Sequence, residues 1–194
     1  MEAWLFNRVF FRGILMITFR KLEEHDLEQV LEWRTSEHVT QYMYTDIEGS
    51  IDNQKKWFDK VLKNNTEYYW IIEVKEKPIG LISLNQMDYQ NKKTSFAYYI
   101  GDLSYSIIAG RIHPYLYNFV FFELGFNKIY AEVMEGNEGM MKMHLHYGFT
   151  HTATFKEHIF KYNQYHDVEY FELLAIDWKE KCTKFHKFKA DFVL

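Results

Sequence analysis

The segment Lys128-Ile-Tyr-Ala-Glu-Val-Met-Glu-Gly-Asn-Glu-Gly-Met-Met-Lys-Met-His-Leu-His-Tyr-Gly-Phe149 holds a strand, a break, a helix and a stop in direct succession. Residues 129–134 are rich in β-formers and end just before Asn137. Residues 138–147 follow a helical period, with Met140, Met141, Leu145 and Tyr147 on one apolar stripe and Lys142 and His146 opposite. His144 falls inside the apolar stripe, and Gly148-Phe149 stops the helix. A titratable ring aimed inward, beside a strand that ends at an Asn, points to a cleft. The plainer alternative is a core histidine with a satisfied ring.

The rest of the chain sets limits on function. Its 194 residues suffice for one domain with a core that needs neither disulfide nor metal. A net charge of −4 argues against a duplex nucleic-acid surface, which wants a basic stripe. No apolar run reaches membrane-spanning length, and Arg8 and Arg12 interrupt the apolar start as a signal-peptide core. A single cysteine, Cys182, leaves no internal disulfide and fits a reducing, cytoplasmic setting. We expect an N-terminal extension over residues 1–15, a single domain over residues 16–182 and a tail over residues 183–194. Aromatic residues in both terminal segments are compatible with a homodimer.

Element order follows from periodicity. Residues 17–20 alternate like a strand, and residues 26–34 form a helix with Leu27, Val30 and Leu31 inward and Arg34 next on that face. Ser50 can cap a helix over residues 51–64, whose inner face is Trp57, Phe58, Val61 and Leu62. Residues 68–74 and 79–85 form a hairpin about Lys75-Glu76-Lys77-Pro78, and residues 94–100 add a third strand. A helix then runs to Leu124 and stops at Gly125. After the quoted segment, residues 150–160 and 166–174 pair across a turn, and a short helix begins near Asp177. The result is α/β: a mixed twisted sheet of six to seven strands with helices on both faces.

This order, over residues 17–181, resembles the fold of the GNAT superfamily of N-acetyltransferases, and the quoted segment resembles the last part of their acetyl-coenzyme A (acetyl-CoA) site. In that family the strand diverges from its neighbour, an Asn follows, and the helix carries an inward Tyr before Gly-Phe. Asn137 matches the Asn, and His144 stands where the Tyr is most often found. The resemblance implies acetyl-CoA as cosubstrate, with Tyr99 and Ile100 on the splayed strand pairing with its pantetheine arm.

A phosphate place is also visible from the residues alone. The strand ending at Ile100 is followed by Gly101-Asp102 and a helix start, where free N–H groups and the helix dipole favour anions. The family pattern there (Arg or Gln, two residues, Gly, one residue, Gly or Ala) falls on residues 104–109, and only Ala109 fits it cleanly. Ser104 replaces the Arg or Gln, and Ile107 replaces the Gly and resists positive φ. Ser106, Ile107, Ile108, Ala109, Gly110 and Arg111 remain the cofactor-binding candidates through their backbone. Pro114 would kink a helix that began at Ile107.

Acetyl transfer needs a neutral amine, a donor for the thioester oxygen and a proton for the leaving thiolate. The resemblance makes His144 the proton donor, since an ordinary imidazole titrates near neutrality. The N–H at Ile100 or nearby suits the oxygen. Glu132, Asp88 and Glu135 are base candidates by position only, beside a water chain. No His or Cys pair has metal-ligand spacing, so no metal is expected. Leu31-Glu32-Trp33-Arg34 with Gln41-Tyr42-Met43-Tyr44-Thr45-Asp46, and Lys156–Phe160 with Tyr165-His166-Asp167, look like one branch of the superfamily. It contains ribosomal-protein alanine, spermidine and pseudaminic-acid-pathway amino-sugar acetyltransferases. Arg34, Tyr42, Met43, Tyr44 and Asn85 are then the substrate candidates, and a UDP-linked 4-amino-sugar is the acceptor expected first. A protein N-terminus, a polyamine and a non-catalytic coenzyme A-binding protein follow.

Overall fold

Lys75 and Glu76 both take positive φ, at 52° and 64°, and close a two-residue hairpin between Tyr68–Val74 (β2) and Lys77–Asp88 (β3). The turn is tighter than expected, so Pro78 enters the strand. Around this hairpin the computed structural model, which describes residues 16–194, builds one seven-stranded sheet. The other strands are Ile17–Lys21 (β1), Lys93–Ile100 (β4), Lys128–Met134 (β5), Thr150–Lys161 (β6) and Gln164–Leu174 (β7). Their spatial order is β1-β2-β3-β4-β5-β7-β6, antiparallel throughout except for the parallel pair β4–β5. The expected extension over residues 1–15 lies outside the described residues.

Helices Leu27–Thr35 (α1), Glu37–Thr40 (α2) and Ile51–Val61 (α3) follow β1. Leu27, Val30, Trp33 and Phe58 of α1 and α3 pack with Ile71 and Leu81 on one sheet face. The other face lies under His113–Asn118 (α4), Glu138–Tyr147 (α5) and Ala175–Lys181 (α6). Arg20 joins the sheet to α1, donating to both oxygens of the buried Asp26 (2.6 Å each) and to Glu73 (2.7 Å).

The expected long helix before β5 is three pieces instead. Leu103–Arg111 is a 3₁₀ segment, α4 restarts at His113, and Phe119–Glu123 is a π turn. Pro114 thereby falls in the first turn of α4, where a missing N–H costs nothing. Residues 183–194 fold back across α4: Phe192 stacks on Phe19 (4.5 Å) and meets Trp70 edge-on, and Trp70 Nε1 donates to Val193 O (3.0 Å).

Candidate active site

β4 and β5 part company almost at once. Only Lys93, Thr94 and Ser95 pair with Lys128, Ile129 and Tyr130, after which the strands diverge. β3 stays paired with β4 up to Ile100, so the open edge of β4 faces β5 alone. Close approach at this end depends on Gly80, because a Cβ there would collide with Tyr99 O. The N–H of Gly101 bonds back to Ile79 O on β3 (2.8 Å). Alternation along the strand therefore aims the Ile100 N–H into the gap.

Along the mouth of the gap runs the 3₁₀ segment. Asp102 caps it, accepting from Ser104 N at 3.0 Å. Ile107 lies here with an ordinary negative φ and 83% exposure. Its side chain leaves the backbone accessible, so the departure from the family pattern imposes no strain. Ile108 turns into the core, Gly110 sits against Met143 of α5, and Tyr147 donates to Gly110 O. Asn137 caps α5, its Oδ1 accepting from Met140 N at 3.3 Å. The open strand edge thus offers unpaired N–H groups to the arm of a long thioester such as acetyl-CoA, while the first N–H groups of the 3₁₀ segment are already taken by Asp102.

His144 points inward as its spacing implies, but deeper than a solvent-facing acid would sit. It is 2% exposed, with rings of Phe149, Phe171 and Phe96 at 4.8, 5.4 and 5.7 Å. Burial pulls it down to about 4, so the expected titration near neutrality is corrected to a neutral ring. Its Nδ1 has no partner among the described residues, and neither nitrogen of the fully enclosed His113 does, 6.2 Å away between ring centroids. Leu145, expected on the apolar stripe, is exposed, while Met143 takes a partly buried place in the core.

On the opposite face of the sheet a cavity of about 510 Å³ opens between α1, α3 and strands β2–β4. Trp57, Tyr69 and Tyr99 supply its aromatic walls, and Glu48, Asn53, Gln54, Ser83 and Asn85 supply polar groups, while the Tyr98 ring turns to His113 on the other face. Ala97, exposed in the middle of a central strand, lines it where β4 borders the gap. The Tyr99 hydroxyl, raised by burial and so a donor, has no partner among the described residues. Arg34 lies half buried in the wall, donating to Thr45 O (2.7 Å) and Thr40 Oγ1 (3.2 Å). Among the described residues no carboxylate comes within ion-pair distance of it, and burial holds it below its ordinary value.

Of the substrate candidates, Arg34, Met43 and Asn85 line this cavity, whereas Tyr42 and Tyr44 do not. Tyr42 is exposed because it follows the short α2 on its outer side. Tyr44 turns instead to Glu132 on β5, donating at 2.8 Å, and Tyr170 donates to the other oxygen of that carboxylate. Glu132 lies two residues beyond Tyr130, the last residue of β5 paired with β4, on the face that Ala97 shares across the gap. The strand-borne part of the cavity wall escapes sequence reading because side chains on strands otherwise read as core.

Residues 19–169 match the family model described as acetyltransferase (GNAT) domain. No curated protein matches the sequence. Among solved structures, spermidine N-acetyltransferase from Vibrio cholerae in complex with CoA and spermine superposes with a TM-score of 0.79 at 22% identity, covering 84% of this chain and 98% of that one. Mutant forms of the Vibrio cholerae spermidine/spermine N-acetyltransferase SpeG give 0.73 at 22% identity, over 86% of this chain and 99% of theirs. At such identities the likeness speaks for the fold.

Proposed function

We propose, from the premise that this chain belongs to the GNAT acetyltransferase family and is an acetyl-CoA-dependent acyltransferase, that its acceptor is a primary amine of a small molecule seated in the cavity beside Ala97. The observation that carries this reading is the shared border of gap and cavity at Ala97, where donor and acceptor meet without a covalent enzyme intermediate.

In this reading acetyl-CoA brings an activated acetyl group along the open edge of β4. The same alternation aims the Tyr98 N–H, next to Ala97, into the gap, where it faces the oxygen on which charge develops, while the Ile100 N–H serves the pantetheine arm. Glu132, fixed by two phenols, takes the amine proton directly or through water. Burial keeps Tyr44 protonated, with Glu132 adding to the effect, so its hydroxyl remains a donor. His144, neutral, cannot store a proton. The proton for the leaving thiolate therefore comes from water, since the His144 ring is enclosed by phenylalanines and its Nδ1 has no partner among the described residues.

A polyamine is the acceptor favoured by the solved neighbours, one of which holds spermine, and Glu48 supplies a cavity carboxylate for it. The UDP-linked amino-sugar suggested by the sequence finds no support in those comparisons. It keeps one observation, Arg34, a guanidinium suited to a phosphate. Thiol release from acetyl-CoA, measured with spermidine and with a UDP-linked 4-amino-sugar, separates the two. Turnover of spermidine, with its KM raised by Glu48→Gln, upholds the polyamine. Turnover of the sugar nucleotide alone, abolished by Arg34→Gln, replaces it. Turnover of neither overturns a small-molecule amine of these classes.

A further inference from the structure

The wall formed by residues 40–48 contributes Met43, Ile47 and Glu48 to the cavity, yet after α2 it contains no helix or strand. A segment of this kind keeps one shape only if something outside it fixes the backbone. Arg34 grips it from the cavity side through Thr40 and Thr45. From the other side comes Lys161, the last residue of β6, more than a hundred residues away in sequence. Its Nζ donates to Thr40 O (2.6 Å) and Met43 O (2.8 Å) and pairs with Asp46 Oδ1 (2.8 Å).

These three partners use the full donor capacity of an ammonium. Lys161 is 6% exposed, and lysine is almost never enclosed unless its charge is matched. Two of the partners are carbonyls, which no side-chain choice within residues 40–43 could supply. The anchor itself is held: His166 bridges Lys161 O and the carboxylate of Glu135, at 3.1 Å each, in the turn before Asn137. One chain of contacts thus runs from the acceptor wall through the β6–β7 hairpin to the turn that starts α5.

We propose that Lys161 is a positioning residue of the acceptor site, setting the wall of residues 40–48 against the cavity without touching the acceptor. This rests on reading the cavity as the acceptor site. Tight placement matters because a misplacement of about 1 Å can cost about a hundredfold in rate.

The test compares the wild-type chain with Lys161→Met, Lys161→Arg and Asp46→Asn, the last weakening only the exposed Asp46 contacts with Lys161 and Thr40. Backbone hydrogen exchange is read at residues 40–43, whose amides bond to Ser36, Glu37, Val39 and Thr40 carbonyls. Exchange there should quicken about tenfold or more in Lys161→Met, less in Asp46→Asn, and return toward wild type in Lys161→Arg, while β4 and β5 keep their rates. With spermidine as the probe amine, KM should rise about tenfold in Lys161→Met while acetyl-CoA affinity stays unchanged. Unchanged exchange at residues 40–43 in both Lys161→Met and Asp46→Asn, or equal acceleration across the sheet in both, would overturn the proposal. An unchanged spermidine KM would also overturn it while leaving the cavity reading intact. If the wild-type chain does not acetylate spermidine, the polyamine reading fails, and the exchange result alone decides Lys161.

Discussion

His144 shows how far one residue is legible from sequence. Helical spacing fixes its inward direction, because that depends on its neighbours in the chain. Its depth depends on Phe96 and Phe171, which arrive from two different strands, and so its pKa is not legible. Burial lowers His144 to about 4 and His113 to about 3, both from 6.5. A depressed histidine contributes stability in full above pH 6.5, and that stability drains as pH falls toward the folded values, since the unfolded chain binds protons the folded one refuses. Urea midpoints should therefore decline between pH 6.5 and pH 4, and His113→Phe should flatten the decline. At the reaction centre, Glu132→Gln should lower kcat/KM about a hundredfold with little effect on acetyl-CoA affinity, in steady-state rates set beside a binding titration. Glu132 stands out in the sequence only by its place on β5. The two phenols that single it out come from residues 44 and 170.

At the scale of elements, the segment from Lys128 to Phe149 is almost fully legible, because a strand, a cap and a Gly stop are local signals. Gly148 takes φ +94° and closes α5, with Phe149 N bonding to His144 O at 3.0 Å. A Cβ there would also meet Lys181 at 3.1 Å. Gly148→Ala should thus cost about 1–2 kcal/mol in chemical unfolding, more than a neutral surface change. The stretch before α4 is less legible. Its apolar residues suggest one continuous helix, whereas a 3₁₀ segment, an α turn and a π turn share the length. Pro114 is the local clue, and it marks the point of restart. The splay of β4 from β5 is known in advance only through the family resemblance, since nothing in the composition of either strand forbids further pairing.

For the molecule as a whole, strand and helix order is enough to specify the GNAT fold, while the closing of the core is not. Residues 183–194 read in the sequence as an aromatic and basic tail, with its role, unstructured or packed, left undecided. In the structure Phe192 seals the core among Phe19, Trp70 and Phe119, and Asn118 donates to the Phe185 and Phe188 carbonyls. Phe192→Ala should therefore cost about 3 kcal/mol in thermal or urea unfolding, as expected of a buried aromatic and not of a loose end. The cavity likewise emerges only when α1, α3 and three strands are assembled around it. Binding of the cosubstrate to the gap is read most directly by titrating acetyl-CoA while following backbone hydrogen exchange. Micromolar binding with new protection at residues 97–100, where open-edge N–H groups acquire partners, and added protection over the adjoining 3₁₀ segment as the cosubstrate covers it, is the expected result. No binding, or binding that protects other segments and leaves the β4 edge exchanging freely, would contradict it.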